Sequence, residues 1–283
     1  MDVRLGVIGG TGVYKPDLLD DVHDEVVDTP YGTVRVHIGR YQGRGIAFLA
    51  RHGEHHSLPP HRINYRANIY ALALLGVERV IATNAVGSLR ERMAPGHFVL
   101  ADQFIDFTKG RPSTFFEGEG EGVVHIDMTQ PYCPQLRGVL HETGRPLGFT
   151  IHDGGTYVCT EGPRFETPAE IEMFNRLGGD LVGMTSVPEV VLAREAGLCY
   201  ASISMVTNYA AGLAGYPLSH EEVLEVMERN LENLRELILE TIPRLPQARA
   251  CGCGDHAPLR ARLMGRTPGL RGDLQGAPGG SAG

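Results

Sequence analysis

The stretch RINYRANIYALALLG, followed at once by the apolar run RVIATN, constrains the fold more than any other part of this chain. Apolar side chains recur there at helical spacing from Pro60 to Leu75 and stop at Gly76, which predicts a helix lying on a flat surface. The runs Arg4–Ile8, Val34–Ile38 and Ile46–Arg51 before it, and Arg79–Asn84 after it, read as strands. A helix carried between strands predicts an α/β fold: a single domain with a mixed central β-sheet flanked by helices. With 283 residues and 42% hydrophobic content the chain can bury a full core.

The order continues downstream. Phe98–Phe107 reads as a strand region, and KGRPSTFFEGEGEG after it, rich in glycine and charge, reads as a mobile surface loop. Pro134–Thr143 is predicted as a helix, Thr156–Thr160 as a strand, and Pro168–Leu177 as a helix capped by Thr167. Leu181–Met184 reads as a strand, Pro188 opens a helix that Gly197 closes, and Tyr200–Val206 is an apolar strand running into Thr207 and Asn208. Ser219 and Glu222 have the spacing of a capping box ahead of a long helix that reaches Pro243. Beyond Pro246 the sequence turns to Arg, Gly and Pro, so residues 1–245 are expected to form the folded domain and 246–283 a disordered tail.

Charge and composition exclude several classes. A formal charge of −8 and a pI near 5.8 argue against long polyanions, which require a basic face. Nucleic acid is therefore not an expected partner. No apolar run approaches ~20 residues and MDVRLGVIGG lacks the pattern of a secretory signal, so no membrane association and a cytoplasmic location are expected. Five cysteines do not resemble a disulfide framework, although Cys251 and Cys253 form a close C-x-C pair whose closed ring would be strained.

Candidate site residues fall at element ends. Gly9-Gly10-Thr11-Gly12 is a tight turn after a strand that either exposes backbone N–H groups to an anion or simply turns the chain; its spacing is neither a dinucleotide fingerprint nor a P-loop. Arg51 and His52 end a strand, where a guanidinium fork and an imidazole could meet one phosphate. His52, His55, His56 and His61 raise the question of a metal, but no H-E-x-x-H spacing is present and adjacent histidines diverge on an extended chain. Asn84 and Ala85 lie at another strand end. Glu166 sits just outside a predicted helix, a position that favours a surface capping acid. The lone His125, flanked by apolar residues, reads as structural.

The motifs GGTGVY, RHGEHH, TNAVGSLRE, DQFIDFT, HIDMTQPYCP, EGPRFETPAE, MTSVPEVVLAREAG and TNY together resemble those of the trimeric purine nucleoside phosphorylase and methylthioadenosine phosphorylase family, over about residues 4–243. The resemblance implies phosphorolysis of an N-glycosidic bond, with purine nucleoside and phosphate as partners, inorganic phosphate as co-substrate, and neither cofactor nor metal. It places Thr11, Arg51, His52, Asn84, Ala85 and Thr185 at phosphate, Phe165, Glu166 and Asn208 at the base, and Met184 and His220 at the ribose. His125 matches a residue that reaches a neighbouring subunit's pocket, which implies a homotrimer or a hexamer built as a dimer of trimers. Asn208, Glu166 and His52 are the residues expected to serve the chemistry.

Two positions speak to the base. A carboxylate at Glu166 accepts from N1–H, which hypoxanthine and guanine carry and adenine lacks; an amide at Asn208 donates to O6 or N7. HEEVL from His220 resembles members whose histidine bonds the 5′-hydroxyl, so inosine and guanosine are the expected substrates, in purine salvage. Methylthioinosine or methylthioadenosine is the alternative. A nucleosidase, a metal-dependent hydrolase built on the His52–His61 cluster and a noncatalytic nucleoside-binding protein are the rival classes. The C-x-C pair resembles one linked to redox or stability in some archaeal members; it stands equally as a free thiol pair and is assigned no catalytic role.

Overall fold

The computed structural model describes residues 2–10, 12–53, 57–118, 122–213 and 220–263, with the side chains of 220–222 outside that description. Among these residues eleven strands join in one sheet. They are β1 (Val3–Gly9), β2 (Asp20–Thr29), β3 (Gly32–Tyr41), β4 (Arg44–Ala50), β5 (Arg79–Ser88), β6 (Phe98–Leu100), β7 (Gln103–Phe107), β8 (Ile151–Asp153), β9 (Thr156–Thr160), β10 (Leu181–Gly183) and β11 (Cys199–Tyr209). The helices are α1 (Tyr65–Leu74), α2 (Pro134–Gly144), α3 (Pro168–Arg176), α4 (Ser186–Glu195), α5 (His220–Thr241) and α6 (Pro258–Leu263). The mixed α/β architecture expected from the sequence is present.

The sheet runs β2-β3-β4-β1-β5-β10-β9-β7, with β11 on the other edge of β5, then β6 and β8. β1 pairs parallel with both β4 and β5, and β11 is parallel to β5. Strands buried on both faces need apolar side chains on both, and the buried runs of β1, β5 and β11 read that way. On one face, residues of α1 and α4 such as Ile69, Leu72, Val190 and Leu192 share a core with Val36, Leu49 and Tyr200. On the other, Leu136 and Leu140 of α2 meet Leu234, Leu237 and Ile238 of α5 over Val7, Ile81 and Ile203.

One detail of the topology makes the site. The edge of β5 that faces β1 is paired through Arg79–Ala82, and the same edge is taken up by antiparallel β10 only at Gly87 and Ser88. Between them the ladder opens. Strand β5 is thus a fork whose prongs, β1 with β4 on one side and β10 with β9 on the other, part around Thr83–Val86.

Two expectations are corrected. The segment after β7 is not a free surface loop, because Phe115 and Phe116 are buried in the core and Arg111 reaches inward with a side chain only 2% exposed. Its guanidinium donates to the carbonyls of Thr160, Glu161, Met184 and Val187. One cation thereby satisfies four carbonyls at the end of β9 and around the start of α4. The folded unit also extends past residue 245: Arg79 donates to the Pro246 carbonyl, and Cys253 and Leu259 are buried. Scattered apolar residues in a polar stretch suffice there because a ready-made surface receives them. Residues 264–283 lie outside the described residues.

Candidate active site

A cavity of ≈ 930 Å³ opens at the fork. Thr83–Gly87 of β5 form its floor, and residues just past the carboxyl ends of β1, β4, β9 and β10 enter it as Gly10, Arg51, Phe165, Glu166, Met184 and Thr185. Ligands in open α/β sheets gather where strand order switches, because unpaired backbone and helix ends meet there. Of the sequence-predicted residues, Arg51, His52, Asn84, Ala85, Phe165, Glu166, Met184, Thr185 and Asn208 all line this one cavity. Thr11 and the side chain of His220 lie outside the described residues. His125 is exposed and is not part of this lining, so the structural, apolar setting read from its flanking residues is not what the fold gives it.

Arg51 is more committed than its position suggested. Its Nε and Nη2 donate to the two carboxylate oxygens of Glu189 at 2.8 and 2.7 Å, and Nη1 donates to the Thr83 carbonyl at 2.7 Å. That carbonyl belongs to the open edge of β5. The fork of the guanidinium therefore faces Glu189 rather than a phosphate; of its five hydrogens, one on each terminal nitrogen is left for a ligand. Burial opposes the Arg51 charge, but the Glu189 carboxylate outweighs it and holds the guanidinium above its ordinary value. Glu189 is fully buried and also accepts from the Tyr200 hydroxyl at 2.7 Å. Sequence reasoning missed Glu189; a carboxylate one residue after the proline that opens α4 was the available signal.

The neighbouring polar groups are fixed in turn. The Asn84 amide donates to the Thr185 hydroxyl at 2.5 Å while its oxygen accepts from Ser202. His52 donates from Nδ1 to the Leu58 carbonyl at 2.8 Å, since a carbonyl can only accept, which turns Nε2 into an acceptor in the neutral ring. Arg51, His52, Asn84 and Thr185 thus gather at the floor as a polar group beside exposed Ala85.

Glu166 lies in the turn between β9 and α3, held by a 2.6 Å bond from the Thr160 hydroxyl. It is half-buried, and desolvation raises its carboxyl above the ordinary range despite that bond. The surface-cap reading fails: Thr167 and Glu170 form the capping box of α3, leaving Glu166 to the cavity. Asn208 is aimed by a bulge. Val206 of β11 pairs with Val86 but Asn208 pairs with Gly87, so one extra residue re-aims the strand end. A Cβ at Gly87 would sit 3.2 Å from the Asn208 amide nitrogen, so glycine is what admits the side chain. The amide donates once, to the Tyr209 carbonyl, and accepts from Thr207, which leaves one N–H for a ligand.

Among the described residues the His52–His61 stretch brings no metal-ligating group together. The wall contributed by α5 is apolar, with Val223, Leu224, Met227 and Leu231. A polar anion floor, a carboxylate and an amide on a second wall, and an apolar side define a site for a small amphipathic molecule bound beside an anion.

Residues 4–243 match the model of the phosphorylase superfamily, and the chain belongs to that family. It is 59% identical over 251 residues to a protein of Moorella thermoacetica named as a probable 6-oxopurine nucleoside phosphorylase, covering 89% of this chain and 96% of that one. It is 53% identical over 257 residues to the 6-oxopurine nucleoside phosphorylase of Pyrococcus furiosus, covering 89% and 97%. Among solved structures, a methylthioadenosine phosphorylase from an antarctic soil metagenomic library superposes with a TM-score of 0.85 at 34% identity, covering 92% of each chain.

Proposed function

We propose that this chain is a pentosyltransferase of the 6-oxopurine nucleoside phosphorylase type, cleaving inosine and guanosine with phosphate to give free purine and ribose 1-phosphate. The observation that carries the reading is the pairing of a carboxylate and an amide, Glu166 and Asn208, in the same cavity as the Arg51, His52, Asn84 and Thr185 floor. The carboxylate accepts from N1–H of a 6-oxopurine and repels the N1 lone pair of adenine; Asn208 offers its remaining N–H to O6 or N7.

As the glycosidic bond stretches, the sugar becomes cationic and the purine anionic, so preorganised groups are needed at both ends. Phosphate on the floor faces the sugar, supplies the nucleophile and steadies the cation. Because Glu189 neutralises Arg51, the floor attracts the anion through directed N–H groups rather than through a bare positive charge. Asn208 strengthens its bond as charge gathers on the base. Phe165 and Met184 pack on base and ribose, and no cofactor takes part in the reaction. We further propose a cytoplasmic homotrimer or dimer of trimers in which the exposed His125 of one subunit completes the neighbour's sugar site.

The apolar wall from α5 favours a second reading, a 5′-methylthio-nucleoside such as methylthioinosine. Initial rates with inosine, guanosine, methylthioinosine and adenosine, with and without phosphate, separate the two. The first reading requires inosine and guanosine to lead in kcat/KM and phosphate to be obligatory. Leadership by adenosine would sink the Glu166 and Asn208 argument, and turnover without phosphate would indicate a nucleosidase.

A further inference from the structure

Far from the cavity, at the opposite end of β11 from Asn208, four cysteines from three parts of the chain converge. Cys133 is the N-cap of α2, Cys199 begins β11, and Cys251 and Cys253 are the C-x-C pair. Their four sulfur atoms all lie within 4.8 Å of one another. The Cys251 sulfur is 3.6 Å from that of Cys133 and 3.4 Å from that of Cys199. Two disulfides would divide the set into two close pairs, whereas here Cys251 is shared between two partners. Four thiolates around one zinc ion, at about 2.3 Å each, place the sulfurs at the corners of a tetrahedron with edges of about 3.8 Å.

We propose that Cys133, Cys199, Cys251 and Cys253 form a structural zinc site that clamps residues 246–263 onto the folded core. Binding releases the four thiol protons and gives a complex of net charge −2, with no change in oxidation state. The surroundings suit that charge. The Cys133 sulfur stands at the N-terminus of an 11-residue helix and accepts from the Leu136 N–H. The Nε of buried Arg194 has no hydrogen-bond partner among the described residues, while its Nη2 donates to the Asp127 carbonyl.

The clamp adds a covalent tie to a segment whose few apolar residues, Leu259 among them, already rest on the core. Other ties reach it as well, among them Arg249 to the Gly197 carbonyl and the Ala250 N–H to Gln135. Four soft thiolates in a closed tetrahedral set favour zinc over harder divalent ions. No open coordination position remains, so the ion is structural and takes no part in phosphorolysis.

The test is metal analysis of the full, untagged chain purified without chelators, by plasma mass spectrometry, beside intact-mass measurement. The expected result is about one zinc per chain, retained in Cys159→Ser, whose sulfur lies elsewhere in the core, and reduced at least about tenfold in Cys251→Ser and Cys253→Ser. Cobalt substitution should give the intense visible absorption of a tetrahedral thiolate site. Stripping zinc with a strong chelator should lower Tm by ~5 °C or more while leaving the kcat of the remaining folded enzyme unchanged. Zinc below about 0.1 per chain after incubation with zinc chloride overturns the proposal, whether intact mass then shows four free thiols or the loss of four hydrogens to two disulfides.

Discussion

Exchanging Glu189 for glutamine removes the negative half of the pair beneath the floor while keeping its shape. Glu189 accepts from Nε and Nη2 of Arg51 and from the Tyr200 hydroxyl, with side-chain exposures of 2% for Arg51 and 0% for Glu189. A glutamine can accept with one oxygen only, and its NH2 would meet another donor. Leaving a buried charge without its partner costs ~3–5 kcal/mol, and the surviving bond puts Glu189→Gln near the lower end. For a chain of this size ~3 kcal/mol corresponds to a fall in Tm of ~6–12 °C. Once released, the guanidinium tilts toward other acceptors, so the KM for phosphate should rise several-fold more than the KM for nucleoside. Calorimetry and initial rates at varied phosphate read both effects. Removing both partners in Arg51→Met with Glu189→Leu should recover most of the stability but not phosphate use, because an apolar pair replaces an ion pair at little cost. A Glu189→Gln Tm within ~2 °C of the parent, with an unchanged phosphate KM, would refute the claim that the pair positions Arg51.

Other expectations concern the base wall and the buried hub. Glu166→Gln should lower kcat/KM for inosine ~10–100-fold, from the loss of a charge-assisted bond of ~1.5–3 kcal/mol, while adenosine is spared or improved. Because desolvation raises the Glu166 carboxyl above its ordinary range, its charged form is lost from the folded protein at a higher pH than for a free glutamate. Inosine kcat/KM should therefore fall as pH drops through that raised value, and Glu166→Gln should abolish that limb of the profile. The same shift destabilises the fold at neutral pH: its stabilising share is present below the unfolded carboxyl value and vanishes as pH rises through the folded one, so Glu166→Gln should leave Tm equal or higher above that window. Arg111→Met orphans the four carbonyls that its guanidinium serves and should cost ~3 kcal/mol or more in thermal or denaturant unfolding, together with a higher nucleoside KM.

The sequence was informative wherever periodicity and element ends coincide with burial. Strand β9 occupies the predicted Thr156–Thr160, and α3 carries the predicted Thr167 cap. Regular helical geometry in α4 is broken at Val187, so Pro188 opens the regular helix as expected. Strand β2, DDVHDEVVDT, was unreadable because it is mostly exposed and polar; the β3 edge beside it, not an apolar pattern, holds it in place. The cavity residues were legible because they sit at strand ends beside glycine or polar turns. Glu189 and Arg111 were not, since a partner for a buried charge is chosen by folding together segments 138 and up to 76 residues apart, and no local pattern records that choice. The cysteine cluster escaped for the same reason: Cys133, Cys199 and the C-x-C pair look unrelated until α2, β11 and the last segment meet.

The opening in β5 is set by strand order and not by any side chain. Its edge changes hands from β1 to β10, and the cavity is whatever lies between them. The floor is anchored to that backbone through Arg51 and Thr83, whereas Glu166 and Asn208 arrive from the β9–α3 turn and the end of β11. The two halves can therefore be inherited separately: a descendant can trade one leaving base for another by rewriting a turn and a strand tip, and still receive its anion-holding floor intact from the topology.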